Sequence, residues 1–382
     1  MPSRIEPDWL TAKNILCVRL DTLGDVVMTS PAIRALKQSL NGRITLLTSS
    51  RGKAAAELFP EIDEILVYDA PWMKATPERD TSTPDLNLIA QLQKRAFDAA
   101  VIFTVFSQNP LAAAFMCYLA EIPLRLAYCR ENPYQLLTHW VPEPDELPHL
   151  RHEVRRHLDL VEHIGCKITD ERIRIPVPAA ALATARRKLT ETGVDLDRPW
   201  VVIHPGASAP SRRYRPEGFA AVAQHLASAA GMQVIFTGSE AETQLIESIR
   251  SAMQAPSFSL AGQLNLVELT AVLKLAPLLI SNNTGPVHLA AGTGTPVVDI
   301  YALTNPQHTP WQVPTRVVTH EVPCKNCFKS ICPEGHHNCL RLIRPEEIVT
   351  AVFQLLQETA EDALLRDPTG EDTRGPITLE LR

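Results

Sequence analysis

Short apolar runs alternate along this chain with longer segments whose apolar residues recur every three or four positions. The runs at 15–20, 44–48, 65–68 and 99–104 are four to six residues long and rich in Ile, Leu and Val. That is the size and content of strands buried on both faces. Helical patterns lie between them, and the alternation predicts a parallel sheet covered by helices on both sides. The first helix, reaching Leu40, can start in two places. Either Ser30 caps it and Pro31 is its first residue, or it starts near Gly24 and kinks at Pro31. Near 173–178 the pattern changes to a short strand, prolines and an Ala-rich helix, and a domain boundary is placed there. The alternation then restarts, with strands at 200–204, 233–237, 277–281 and 296–301 and helices at 219–230, 241–253, 266–275 and 345–357. The fold class is α/β, with domains at 1–178 and 179–358. Two such domains facing each other leave a cleft lined by the carboxyl ends of their strands, where ligands bind. Residues 359–382 are charged and contain Pro and Gly, so a frayed tail is expected.

Composition narrows the function. The 382 residues carry a net charge of -6, which argues against a general nucleic-acid binder. Residues 1–13 contain acids and prolines but no apolar core of a signal peptide. No run reaches the roughly 18 apolar residues of a membrane span, and the nearest, 110–124, is interrupted by Glu121. A cytoplasmic protein is expected, with its eight cysteines reduced unless a metal holds them. Peripheral contact with a membrane is left open.

The candidate chemistry sits in three loops, each following a strand. Residues 281–296 read Ser-Asn-Asn-Thr-Gly-Pro-Val-His-Leu-Ala-Ala-Gly-Thr-Gly-Thr-Pro. A strand that ends in Thr284-Gly285 and opens a helix aims backbone N–H groups at one spot, which favours phosphate. His288 falls one helical turn later. A second loop reads His204-Pro205-Gly206-Ala207-Ser208 and continues to Arg212, Arg213 and Arg215. It is either a solvated basic loop or a diphosphate site in which Arg forks pair with phosphate oxygens. The third, Arg19 to Val27, holds Gly24-Asp25. Asp25 either faces the cleft or is a helix-start acid interacting with the helix dipole. A three-glycine dinucleotide turn and a P-loop Lys are both missing there.

These pieces resemble the ADP-heptose:lipopolysaccharide heptosyltransferases, glycosyltransferase family 9. The resemblance rests on Val18-Arg19-Leu20 through Gly24-Asp25-Val26 with Ser30-Pro31-Ala32, on His204-Pro205-Gly206, on 211–216, and on 282–296. It implies a GT-B fold of two Rossmann-like domains, the first binding the acceptor and the second the nucleotide sugar. It also implies an inverting transfer of heptose from ADP-heptose to a lipopolysaccharide-core or lipid-linked glycan, with no catalytic metal. Asp25 matches the family's general base. His204, Gly206, Ser208, Arg212, Arg213, Asn283, Thr284, Gly285 and His288 are the candidate donor-binding residues. Asn283 stands where many relatives have Asp, and Tyr214 replaces a common Trp.

Two features lie outside those motifs. Cys324, Cys327, Cys332 and Cys339, with His336 and His337, make a candidate structural zinc site, a set of free thiols, or a disulfide or iron–sulfur arrangement. The basic segment 149–163 is either a solvated helix face or an acceptor surface in which Arg151 and Arg155, beside Gly24, meet anionic groups of the glycan. Arg125, Arg130, Trp72 and Met73 are candidates for the same side. Two rival functions are a nucleotide-sugar epimerase, which needs no acceptor, and a zinc-stapled nucleotide-binding protein without catalysis.

Overall fold

Parallel strands with apolar residues on both faces must be covered twice, and the helices between them do this. The computed structural model describes residues 6–74, 76–143 and 151–366. It divides between Arg174 and Ile175 into two units. In the first, the strands are β1 (Asn14–Arg19), β2 (Arg43–Thr48), β3 (Glu64–Val67), β4 (Ala99–Ile102), β5 (Leu124–Cys129) and β6 (His139–Pro142). The helices are α1 (Pro7–Leu10), α2 (Leu23–Leu40), α3 (Lys53–Ala56), α4 (Thr83–Arg95), α5 (Leu111–Leu119) and α6 (Glu153–Glu162). All pairings are parallel, in the order β3-β2-β1-β4-β5-β6.

The second unit repeats the design. Its strands are β7 (Trp200–His204), β8 (Gln233–Phe236), β9 (Phe258–Ser259), β10 (Leu279–Asn282), β11 (Val297–Ile300) and β12 (Thr315–Val318). They lie in the order β12-β11-β10-β7-β8-β9, again all parallel. The helices are α7 (Ala179–Glu191), α8 (Pro216–Ser228), α9 (Thr243–Ser251), α10 (Leu266–Leu275), α11 (Gly285–Thr293), α12 (Asn338–Arg341) and α13 (Pro345–Arg366). Read from each unit's first strand, both orders are 3-2-1-4-5-6, the doubly wound Rossmann arrangement. The strand order reverses between β1 and β4 in one unit and between β7 and β10 in the other. Those two points receive the loops singled out above.

Several expectations change. The helix of residues 23–40 starts at Leu23 and carries Pro31 inside it, so Ser30 is not a cap. Pro31 cannot donate to the Val27 carbonyl, but the Ser30 hydroxyl does so at 2.8 Å, filling the missing bond. Residues 173–178 form no strand. Helix α13 continues past Glu358 to Arg366, which replaces the start of the expected frayed tail; 367–382 and His149 lie outside the described residues. Four strands, β5, β6, β9 and β12, are added. No helix among the described residues is long and apolar enough to cross a membrane.

The Pro31 repair is testable. Ser30→Ala leaves the buried Val27 carbonyl without its donor and should cost about 1–3 kcal/mol in urea unfolding. Ser30→Ala combined with Pro31→Ala restores a backbone N–H and should regain most of the loss. A single variant as stable as wild type would contradict the repair.

Candidate active site

Arg19 ends β1 as the only charged residue of a buried strand, and its side chain is wholly inaccessible. A buried guanidinium needs anionic partners. It has three: Asp21 Oδ2 lies 3.3 Å from Nε, and Asp25 Oδ1 and Glu153 Oε1 lie 3.4 and 3.6 Å from Nη2. Glu153 opens α6, which packs along α2 and so brings a carboxylate from far along the chain under the first loop. Burial opposes the charge of Glu153, yet Arg156, His157 and Arg19 together hold its carboxyl well below the usual range. His157 bridges the same group, 3.1 Å from Glu153 and 3.3 Å from the Thr29 hydroxyl.

Asp25 is the third residue of α2, beside buried Gly24. Its Oδ2 accepts from the Thr22 N–H at 3.0 Å and the Thr22 hydroxyl at 2.8 Å, so the helix start fixes the carboxylate's direction. The helix-start reading of Asp25 is therefore correct as far as it goes. The carboxylate is also partly open to solvent and paired with Arg19. Beside it, Asp21 is almost enclosed, accepts from Gln108 Nε2 at 2.6 Å, and is pushed up by burial against the pull of Arg19. Asp21, Gln108, Trp72, Met73, Phe103 and Leu111 line a cavity of about 390 Å³ at the β1–β4 reversal. Arg19, Asp21, Gln108, Glu153 and His157 were not singled out from the sequence. A charged residue inside an otherwise apolar strand was the signal for Arg19.

The expected acceptor arginines are occupied. Arg155 pairs with Asp159, Glu162 and Glu171, and Arg151 pairs with Asp159. Arg156 is buried in a fork with Glu143, and Arg125 donates to the carbonyls of Ile122, Gln135 and Leu136. Arg130 reaches the Phe106 carbonyl and Glu143. The basic segment is thus largely neutralised from within.

In the second unit, the loops after β7 and β10 meet. Asn282, at the end of β10, donates to the Pro205 carbonyl at 2.7 Å and accepts from the Tyr214 N–H at 2.9 Å, tying the arginine loop to the Thr284-Gly285 turn. Thr284 caps α11 in extended conformation and Pro286 sits in its first turn. His288 is buried one turn later. Asn283 is buried and donates to Asp299 at 2.9 Å and to the His308 carbonyl at 2.7 Å. His204 is buried against the Thr237 hydroxyl, and burial lowers its pKa while Glu242 pulls the other way. Gly206 has a physical reason: a Cβ there would come 1.8 Å from Glu242 Oε1. Glu242, held by the Ser239 N–H and hydroxyl, is another residue the sequence reading passed over. Ser208 and Arg213 are exposed, and Arg213 donates to the Ala207 carbonyl. Arg212 is half-buried, and its guanidinium makes no hydrogen bond or ion pair among the described residues.

The expected zinc site is not assembled. Among the described residues no three His, Cys, Asp or Glu side chains are placed to hold a metal. Cys324, Cys327, Cys332 and Cys339 are free and partly buried, with Cys324 Sγ 3.9 Å from His336 Nε2. The four share one neighbourhood, since burial and then the other three cysteines push the Cys339 thiol up. What the segment does in this structure is brace the site. The carbonyls of Lys329 and Ser330 accept from Ser211, beside Arg212, and Asn326 and Phe328 donate to Leu303 and Thr304.

Residues 86–338 match the sequence model of glycosyltransferase family 9 (heptosyltransferase). The chain belongs to glycosyltransferase family 9. This glycosyltransferase is 26% identical over 307 residues to the lipopolysaccharide core heptosyltransferase OpsX of Haemophilus influenzae, covering 79% of this chain and 83% of that one. Among solved structures it resembles a family 9 transferase of Veillonella parvula (TM-score 0.75, 22% identity, 93% of this chain and 100% of that one). It also resembles ADP-heptose lps heptosyltransferase II of E. coli (TM-score 0.71, 20% identity, 91% and 99%). These likenesses place the transferase in the GT-B class of α/β folds.

The Arg19 cluster gives the site's own prediction. Arg19→Met leaves Asp21, Asp25 and Glu153 without their shared cation and should destabilise the first unit by about 3–5 kcal/mol, measured by urea unfolding at neutral pH. A loss near zero would mean the three carboxylates are held by something else.

Proposed function

We propose that this transferase moves heptose from ADP-heptose to a lipopolysaccharide-core or lipid-linked glycan acceptor, with inversion at the anomeric carbon and Asp25 as general base. The observation that carries the reading is the pair of motifs at the two strand-order reversals: Asp25, joined through Arg19 to Asp21 on the wall of a cavity, in one unit, and Arg212 with the Thr284-Gly285 turn in the other. The activities for which OpsX and the E. coli enzyme are named supply the sugar and the acceptor class.

In this reading the diphosphate lies at the start of α11, where the helix dipole and Arg212 both favour an anion. His288 and His204 line the same site, and Glu242 is placed for a ribose hydroxyl. The acceptor occupies the first unit. Its sugar lies near Asp21, Gln108 and Trp72 rather than along Arg151 and Arg155, whose charges are already paired. Asp25 takes the proton of the acceptor hydroxyl as that oxygen bonds to the anomeric carbon. The bond from that carbon to the diphosphate oxygen breaks on the opposite face, and ADP departs with the electron pair. Arg212 and the helix start stabilise the charge that grows on it. No step needs a metal. The cysteine segment acts by holding Ser211 and thereby Arg212. The reaction takes place at the cytoplasmic face of the inner membrane, through peripheral contact.

The test is ADP release from ADP-heptose, and from UDP- and GDP-sugars, with and without delipidated core oligosaccharide. Acceptor-dependent release from ADP-heptose is expected. Release or isomerisation without acceptor would favour an epimerase, and binding without turnover on any donor would favour a non-catalytic nucleotide binder. Asp25→Asn should cut kcat by about 10²–10⁴ and leave ADP affinity nearly unchanged. Arg212→Met should raise the donor KM by about tenfold to a hundredfold, the loss of a charge-assisted contact. An Asp25→Asn enzyme of wild-type rate would remove Asp25 from the base role.

A further inference from the structure

Asp299 is the third residue of β11 and has no exposed surface. Its neighbours Val298 and Ile300 both belong to the hydrophobic core, and across the sheet it faces Ser281 and Val317. Nothing in the packing calls for a carboxyl there, and leaving one without full hydrogen bonding is costly. Oδ2 accepts from Asn283 Nδ2 at 2.9 Å, while Oδ1 is buried with no hydrogen-bond partner among the described residues.

The Asn283 amide is fully determined. One hydrogen goes to Asp299 and the other to the His308 carbonyl at 2.7 Å, and its backbone N–H donates to Ile300. With both amide hydrogens used, Asp299 Oδ2 can only be an acceptor. Asn283 immediately precedes Thr284-Gly285, so this bond anchors the chain that enters the turn.

Few charged groups face Asp299. Burial pushes its carboxyl up to about 8, and the Asn283 bond and the Arg212 guanidinium pull the other way. Tyr301, two residues further on and just past the end of β11, is also pushed up, by its own burial and then by Asp299; His308 contributes its carbonyl to the Asn283 amide. Burial and the missing partner at Oδ1 both favour the protonated acid, and because Oδ2 accepts from Asn283, Oδ1 is the oxygen left for the proton. Loss of that proton would leave a buried carboxylate short of hydrogen bonds, with Arg212 as the one cation acting on it among the described residues.

We propose that Asp299 is a positioning residue of the donor site: through Asn283 it holds the chain entering the Thr284-Gly285 turn, and as an uncharged acid it leaves Arg212 to the ligand's diphosphate. The inference rests on the reading of that turn as the diphosphate site. Ionised Asp299 would compete with the diphosphate for Arg212 and repel it. Donor affinity therefore falls as pH rises through the range in which Asp299 ionises.

ADP-ribose is a suitable probe, because its diphosphate has no ionisation near neutral pH and it cannot donate heptose. Apparent affinity scales with the fraction of competent protein, so wild type should bind it about tenfold more weakly at about pH 9 than at about pH 7. Asp299→Asn cannot ionise and should bind equally at both, as read by titration calorimetry. An unchanged wild-type affinity, or a decline that Asp299→Asn retains, would overturn the role of Asp299 while leaving the donor site standing. No binding of ADP-ribose or ADP at either pH would overturn both. Should Asp299→Asn fail to fold, the infrared carbonyl band of a buried protonated carboxyl in wild type decides the matter. It should be present at neutral pH and fade in step with ADP-ribose affinity, and a carboxylate at neutral pH overturns the proposal.

Discussion

A parallel sheet brings the carboxyl ends of all its strands to one edge, and only where the strand order reverses do neighbouring loops part to opposite faces. That constraint acts twice in this chain. Between β1 and β4 it opens the cavity lined by Asp21, which shares Arg19 with Asp25. Between β7 and β10 it brings the arginine loop to the Thr284-Gly285 turn, and Asn282 joins the two by bonds to Pro205 and Tyr214. Everything proposed about catalysis depends on the loops being delivered to those two points.

The units treat buried charge differently. The first compensates it within a network: Arg19 and Arg156 are shared among Asp21, Asp25, Glu153 and Glu143. Such a network meets its buried charges from within and has little to gain from an anionic ligand. The second unit has no such network at its reversal point. Arg212 lacks an ion-pair partner among the described residues, and Asp299 is forced towards its neutral form. An anion would complete that site.

Much of this was legible in the sequence. The central strands announce themselves because both faces are apolar, and the loop motifs follow them directly. β6, β9 and β12 escaped because edge strands are short and half polar: β6 contains His139 and Pro142, and β9 has two residues. β5 was hidden by Arg125 inside it and by the apolar α5 running up to it. The site residues that escaped are assembled by packing. Glu153 and His157 reach Arg19 only because α6 lies along α2, and no local pattern announces that. Arg151 and Arg155 were read without the acids that pair with them, although the Arg155–Asp159 spacing of four was there to be read. The cysteines were read for their ligand chemistry, whereas backbone bonds give their segment its place beside Ser211.

The central claim is that the second unit's reversal point holds the donor diphosphate. A crystal structure with ADP tests it most directly. The account predicts phosphate oxygens within hydrogen-bonding distance of the backbone at Thr284-Gly285 and of the Arg212 guanidinium, with His288 alongside. Phosphates bound elsewhere, with Arg212 still without an anionic partner, would contradict it.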